Sequence, residues 1–154
     1  MIQIEKSKRI LTLTAEDGTE RLRVPVFLGS CPEGTKDFEG DGKTPEGIYR
    51  IVTVNPESKY HFAFGLSYPN RNDAVRALKE KRISPLTAFR IVLCDVLGVR
   101  PPWNTPLGGF IMLHGEHPDG KTGNWTAGCI ALSNSDMDAL SKLAKKGDAV
   151  RILP

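Results

Sequence analysis

The sequence is poor in cysteine. Cys31, Cys94 and Cys129 are its three cysteines in 154 residues, too few and odd in number to staple a disulfide scaffold. It lacks any run near the ~18 apolar residues that cross a membrane, so no membrane span is expected. Met1-Ile2-Gln3-Ile4-Glu5 is not the basic head and apolar stretch of a secretory leader, so no signal peptide is expected in this chain. A mature exported domain would read the same way. Charge of one sign is also scarce: 21 Lys and Arg face 18 Asp and Glu, a formal net charge of +3. That weak field permits an anionic partner without selecting one. Basic residues gather at Lys6–Lys8–Arg9, Lys79–Lys81–Arg82 and Lys145–Lys146. They read most simply as solvated surface, although the first two groups could touch phosphate or carboxylates. No nucleic-acid motif accompanies them, so no nucleic-acid partner is expected.

What is present suits one folded core. The apolar fraction of 40% is too high for a disordered chain. The length predicts a single domain over residues 1–154. Ile10–Thr14 and Leu22, Val24 and Val26 read as a hairpin around Asp17-Gly18, with Pro25 marking an edge or a bulge. Gly29–Gly47 reads as loop, and Ile48–Val54 as a strand. Asn72 or Asp73 is expected to cap a helix running to about Lys81. Phe89–Leu93 is expected to form a strand, and Gly98–Gly109 reads as loop. Phe110–Leu113 reads as a short strand ending at His114. Ser135 and Asp138 suggest a capping box for a helix bearing Met137, Leu140, Leu143 and Ala144, with Gly147 as its C-cap. Ala149–Leu153 closes the chain as a strand.

His114 and Cys129 are the pair with chemical potential. Both sit among small residues, in His114-Gly115 and Ala127-Gly128-Cys129. A thiolate is a strong nucleophile, and a neighbouring imidazole can generate it or take its proton. Spacing alone leaves three readings open: catalysis, a structural cysteine beside an incidental histidine, and a metal or redox thiol. Cys129, His114, His117 and Asp119 are permissible metal ligands, but their spacing fits no strong zinc motif, and no metal is expected. Gly40-Asp41-Gly42-Lys43-Thr44 lacks the frame of a phosphate loop. Cys31 and Cys94 read as ordinary thiols, with a Cys31–Cys94 disulfide as an alternative. His61, beside Tyr60 and Phe62, reads as structural.

Met112-Leu113-His114-Gly115, then Thr126-Ala127-Gly128-Cys129-Ile130, resembles the signature of the L,D-transpeptidase catalytic domain family (YkuD-like). Thr44-Pro45-Glu46-Gly47-Ile48-Tyr49 resembles the family's Thr-Pro-x-Gly element. Gly65-Leu66-Ser67-Tyr68-Pro69-Asn70 resembles the branch that includes cell-wall-processing relatives. The resemblance spans about Gly29 to Leu132. It implies a mainly β, sandwich-like domain with mixed sheets and small peripheral helices. It implies cysteine-dependent acyl transfer on peptidoglycan stem peptides, with no cofactor. Alternatives are an L,D-carboxypeptidase or crosslink hydrolase using the same site, and a noncatalytic peptidoglycan-binding domain.

By the same resemblance, Cys129 is the nucleophile that forms a thioester. His114 is the general base, oriented by the Gly115 carbonyl. Thr126 supports the nucleophile loop, and the Gly128 and Cys129 amides stabilise the oxyanion. Trp103, His117 and Trp125 are substrate-binding candidates. Ala127 stands where many members have His, and Ala131 where many have Arg or Asn. Arg50, Arg90 and Arg100 are candidates to replace the missing substrate contact. The implied substrate places the protein in the cell envelope or outside the cell. Oligomeric state and the acceptor, amine or water, are unassigned.

Overall fold

The computed structural model describes residues 1–154. Its strands are β1 (Ile2–Glu5), β2 (Ile10–Thr14), β3 (Glu20–Pro25), β4 (Gly47–Ser58), β5 (His61–Leu66), β6 (Met112–His114), β7 (Ile130–Ala131) and β8 (Ala149–Leu153). Its helices are α1 (Arg71–Lys79), α2 (Pro85–Leu97) and α3 (Asn134–Leu143). The strands form one sheet in the order β3-β2-β1-β8-β4-β5-β6-β7. The β1–β8 and β6–β7 pairs are parallel and the others antiparallel, giving the mainly β, mixed-sheet fold the resemblance implies.

β4 makes the sheet curl. Its first residues, Gly47–Arg50, pair with β8. The rest pairs with β5 through two register irregularities, between Ile51 and Thr53 and between Asn55 and Ser58. Irregularities of this kind bend a strand and raise its twist. The chain leaving β3 then returns to the opposite edge: Phe27 and Ala131 exchange backbone hydrogen bonds of 2.8 and 2.9 Å. The two halves of the sheet therefore face each other across one core, which includes Ile4, Leu11, Leu28, Tyr49, Phe64, Leu113, Ile130 and Val150. Met137 and Leu140 of α3 join that core. A smaller cluster of Ala74, Ala77, Ile83, Ala88, Ile91 and Leu107 holds α1 and α2 together. No helix is long and apolar enough to cross a membrane.

The structure corrects several local expectations. Phe89–Leu93 lies inside α2 and is not a strand. Ser84 caps this helix by accepting from the Thr87 N–H, Pro85 occupies its first turn, and Gly98 ends it in a left-handed conformation. Those boundary signals override the strand preference of the run between them. Asn70, not Asn72 or Asp73, caps α1; its side chain accepts from the N–H groups of both. Ser133 caps α3 through the Asp136 N–H, while Asp138 bonds His61 Nε2 at 2.6 Å. Gly147 donates to the Ile51 carbonyl and lies beyond the α3 cap. Cys31 and Cys94 are free thiols. Lys6 is buried and not solvated surface. Its ammonium reaches Glu46 Oε1 at 2.8 Å and the carbonyls of Gly34 and Thr44, tying β1 to the long Gly29–Gly47 loop.

That loop is built around Asp41. Its carboxylate meets Lys36 Nζ at 2.7 Å and accepts from the N–H groups of Asp37, Phe38 and Lys43. Burial pushes the Asp41 pKa up, but these donors outweigh it and hold the carboxyl below its ordinary value. A loop that satisfies its polar groups internally forms a firm bed for whatever packs on it. Gly128 is what packs there.

Candidate active site

β6 delivers His114 at its C-terminal end, directly beside Gly115. The β6–β7 parallel pairing sets Ile130 opposite Leu113, which puts the preceding residue, Cys129, level with Met112, one strand over and two positions back from His114. Cys129 and His114 both line a cavity of about 600 Å³. They are 15 positions apart in the chain, and the pairing of two very short strands brings both to one cavity.

His114 is buried, and its Nδ1 lies 2.8 Å from the Gly115 carbonyl oxygen. A carbonyl can only accept, so Nδ1 carries the proton and Nε2 keeps its lone pair. Burial lowers the imidazole pKa; the Gly115 carbonyl opposes that, and the Lys59 charge adds to it. His114 is therefore neutral at pH 7 and is equipped as a proton acceptor. Tyr60 stacks on it, with ring centroids 4.5 Å apart and planes at 22°. Trp125 meets it edge-on at 5.5 Å, and His117 packs on Trp125 at 5.1 Å. These contacts fix the ring's plane.

The Cys129 thiol donates to the Phe110 carbonyl at 3.3 Å. Burial pushes its pKa up to about 11, against a lowering hydrogen bond from the Met112 backbone. It is thus a neutral thiol and not half of a thiolate–imidazolium pair. Phe110 holds its carbonyl there with φ at +55°, a strained backbone for a bulky residue. Its exposed ring forms part of the cavity wall.

The nucleophile loop is braced from both sides. Thr126 Oγ1 donates to the Cys129 carbonyl at 2.7 Å and accepts from the Gly128 N–H at 3.1 Å. The Gly128 N–H, expected to support the oxyanion, donates to Thr126 Oγ1 in this structure. No loop hydrogen bond uses the Cys129 N–H. Gly128 has φ at +129°, and a Cβ there would stand 2.5 Å from the Lys43 carbonyl oxygen. Only glycine fits both the conformation and the approach. At Gly115 a Cβ would meet the Tyr60 carbonyl oxygen at 2.6 Å, so this backbone too is seated against its neighbour.

His117 and Trp125 line the cavity, whereas Trp103 is buried outside its wall, with its ring 4.7 Å from that of Phe110. Arg50, Arg90 and Arg100 are not in the wall; Arg100 lies over the Trp103 ring instead. The cations facing the cavity are Lys59 and Lys121, and no carboxylate lines it. Tyr60 and Lys59 carry no sequence signal for this role, because only the β4–β5 turn swings them toward His114. Asp119 lies beside His117 at 3.7 Å and outside the cavity wall. No group of three or more His, Cys, Asp or Glu side chains is placed to hold a metal ion.

The model of the YkuD family, the L,D-transpeptidase catalytic domain, matches residues 1–152. The chain belongs to this family. It is an L,D-transpeptidase-type catalytic module, an enzyme fold organised around a cysteine. YafK of Escherichia coli K12 is 23% identical, with 90% of this chain and 44% of that protein aligned. The helical cell shape determining protein Pgp2 of Campylobacter jejuni superposes with a TM-score of 0.70 at 27% identity, covering 98% of this chain and 46% of that one. Bd1075 of Bdellovibrio bacteriovorus shares the fold, with a TM-score of 0.63 at 22% identity over 99% of this chain and 47% of that one. The L,D-transpeptidase module thus spans less than half the length of these relatives.

Proposed function

We propose that this module transfers acyl groups of peptidoglycan stem peptides through a thioester on Cys129. The observation that carries the reading is the pairing, in one cavity, of the Cys129 thiol with an imidazole whose free nitrogen is Nε2. In the reaction, the thiol turns from the Phe110 carbonyl toward His114. Nε2 takes the S–H proton as sulfur attacks the amide carbonyl. The unpartnered Cys129 N–H supports the developing oxyanion. The imidazolium then protonates the leaving amine as the C–N bond breaks, and the thioester remains. An acceptor amine gives exchange or a crosslink, and water gives carboxypeptidase or hydrolase products.

Lys59 and Lys121, with no carboxylate in the wall, suit a peptide rich in carboxylates. Tyr60, Phe110 and Trp125 supply apolar surface for its stem. A peptidoglycan substrate places the working enzyme in the cell envelope or outside the cell.

Intact-mass spectrometry with a stem tetrapeptide, with and without a D-amino acid acceptor, tests the reading. A Cys129 acyl adduct that is lost in Cys129→Ala supports it, and the product then names the acceptor. Wall binding unchanged in Cys129→Ala, with no adduct on folded, reduced protein, would establish the noncatalytic binding domain instead.

A further inference from the structure

The outer face of α2 is apolar where a solvated helix is polar. Leu86, Phe89, Leu93, Val96 and Leu97 are each between 44% and 68% exposed. At 3.6 residues per turn they fall within about 100° of arc. The opposite side of the same helix is already used, since Ala88 and Ile91 are buried against α1. Val75 and Leu78 of α1 are exposed as well. The apolar stripe therefore serves neither core.

The charge around this face is one-sided. Residues 71–100 contain seven Lys or Arg and three Asp or Glu. All three acids are engaged within the protein: Asp73 with Arg76, Glu80 with Arg82, and Asp95 with Arg71. Lys79, Lys81, Arg90 and Arg100 make no ion pair, so the free charge of the hairpin is wholly positive. Arg90 adjoins the stripe on α2, and Lys79 and Lys81 lie just before its N-terminus. The basic group at Lys79 and Lys81, which reads from the sequence as solvated surface or a phosphate contact, therefore borders an apolar face.

We propose that the α1–α2 hairpin docks on an anionic lipid bilayer. Its apolar stripe would lie in the boundary between headgroups and acyl chains, with Lys79, Lys81 and Arg90 on the lipid phosphates. An apolar helix face flanked by cations is what such an interface stabilises. A second copy of the same face would instead bring unpaired cations against unpaired cations, which disfavours self-association. Docking is independent of Cys129 chemistry, and its failure would leave the acyl-transfer reading untouched.

Co-sedimentation of the full chain with vesicles tests the proposal. One set contains phosphatidylglycerol and phosphatidylcholine, and the other phosphatidylcholine alone. The expected result is binding to the anionic set, at least about tenfold weaker on the neutral set, and weakened by added salt. Phe89→Ser with Leu93→Ser, and separately Lys79→Glu with Lys81→Glu and Arg90→Glu, should each lower anionic-vesicle binding about tenfold or more. Both variants change exposed side chains, and their melting temperatures report that they remain folded. Folded wild-type protein that stays in the supernatant with both sets would overturn the proposal, as would equal binding to the two. A concentration-dependent dimer, made monomeric by the Phe89/Leu93 variant and blind to vesicles, would assign the face to a second copy and also overturn it.

Discussion

The Cys129 thiol donates a hydrogen bond to the Phe110 carbonyl, 3.3 Å away, while the Nδ1 proton of His114 points at the Gly115 carbonyl at 2.8 Å. Each member of the pair is thus parked in its neutral form by a backbone oxygen. Turning the thiol toward Nε2 exchanges one acceptor for the other and starts the proposed reaction.

A neutral resting thiol has a measurable signature. Alkylation of Cys129 by iodoacetamide, read as the Cys129 peptide by mass spectrometry, should rise with pH toward a midpoint near the value of about 11 set by burial. His114→Gln should leave alkylation at pH 7 within roughly threefold of wild type, because no ion pair is lost. The same variant should lose stem-peptide acylation. A midpoint near neutrality that His114→Gln abolishes would show that the resting site is an ion pair.

The acid limb follows from His114. Burial holds its pKa below the ordinary 6.5, helped by Lys59. The base works only when neutral, so kcat/KM should be flat near pH 7 and fall below pH 6.5. Folding is linked with the same sign: a depressed folded pKa gives stability that is present above the unfolded value and lost as pH falls through the folded one. Lys59→Ala should move the limb to higher pH. A pH–rate profile of both proteins checks the shift.

Tyr60 acts through His114. Tyr60→Leu removes the 4.5 Å stack and lets the imidazole turn. Loss of an aromatic pair is worth about 1 kcal/mol, so kcat should fall about fivefold to tenfold with a smaller change in KM. Tyr60→Phe keeps the ring and should restore most of kcat. Steady-state kinetics on the three proteins separates positioning from general destabilisation.

Gly128 is constrained twice, by φ at +129° and by the Lys43 carbonyl oxygen 2.5 Å from any Cβ. Gly128→Ala should cost about 2–3 kcal/mol in urea unfolding and abolish the Cys129 adduct. Gly120, with open space around its Cβ position, is the control: Gly120→Ala should keep activity.

Lys59 and Lys121 are the charged groups facing the cavity. If they read substrate carboxylates, the double change to Ala should raise KM for an acidic stem peptide about tenfold. An amidated stem peptide should show little change. Equal effects on both peptides would remove charge reading from the two lysines.

Much of this protein was legible in its residues. The β2–β3 hairpin, the β4 and β8 strands and the α3 helix follow from local patterning and turn chemistry, which neighbouring residues alone determine. The ordered His114-Gly115 and Thr126-Ala127-Gly128-Cys129 motifs marked the family, because each position answers a short-range demand for a thiol, a ring or a missing side chain. The misread segments were those where a boundary signal competed with composition, as Ser84-Pro85 and Gly98 did around Phe89–Leu93. Tertiary structure alone decided the rest. It set Tyr60 on His114, put Lys59 and Lys121 rather than an arginine at the cavity, and occupied the Gly128 N–H with Thr126. It buried Lys6, and left the face of α2 bare beside unpaired cations. Those outcomes depend on which distant segments a curled sheet brings together, and pairing between strands far apart in the chain is set by the whole core and not by any local stretch.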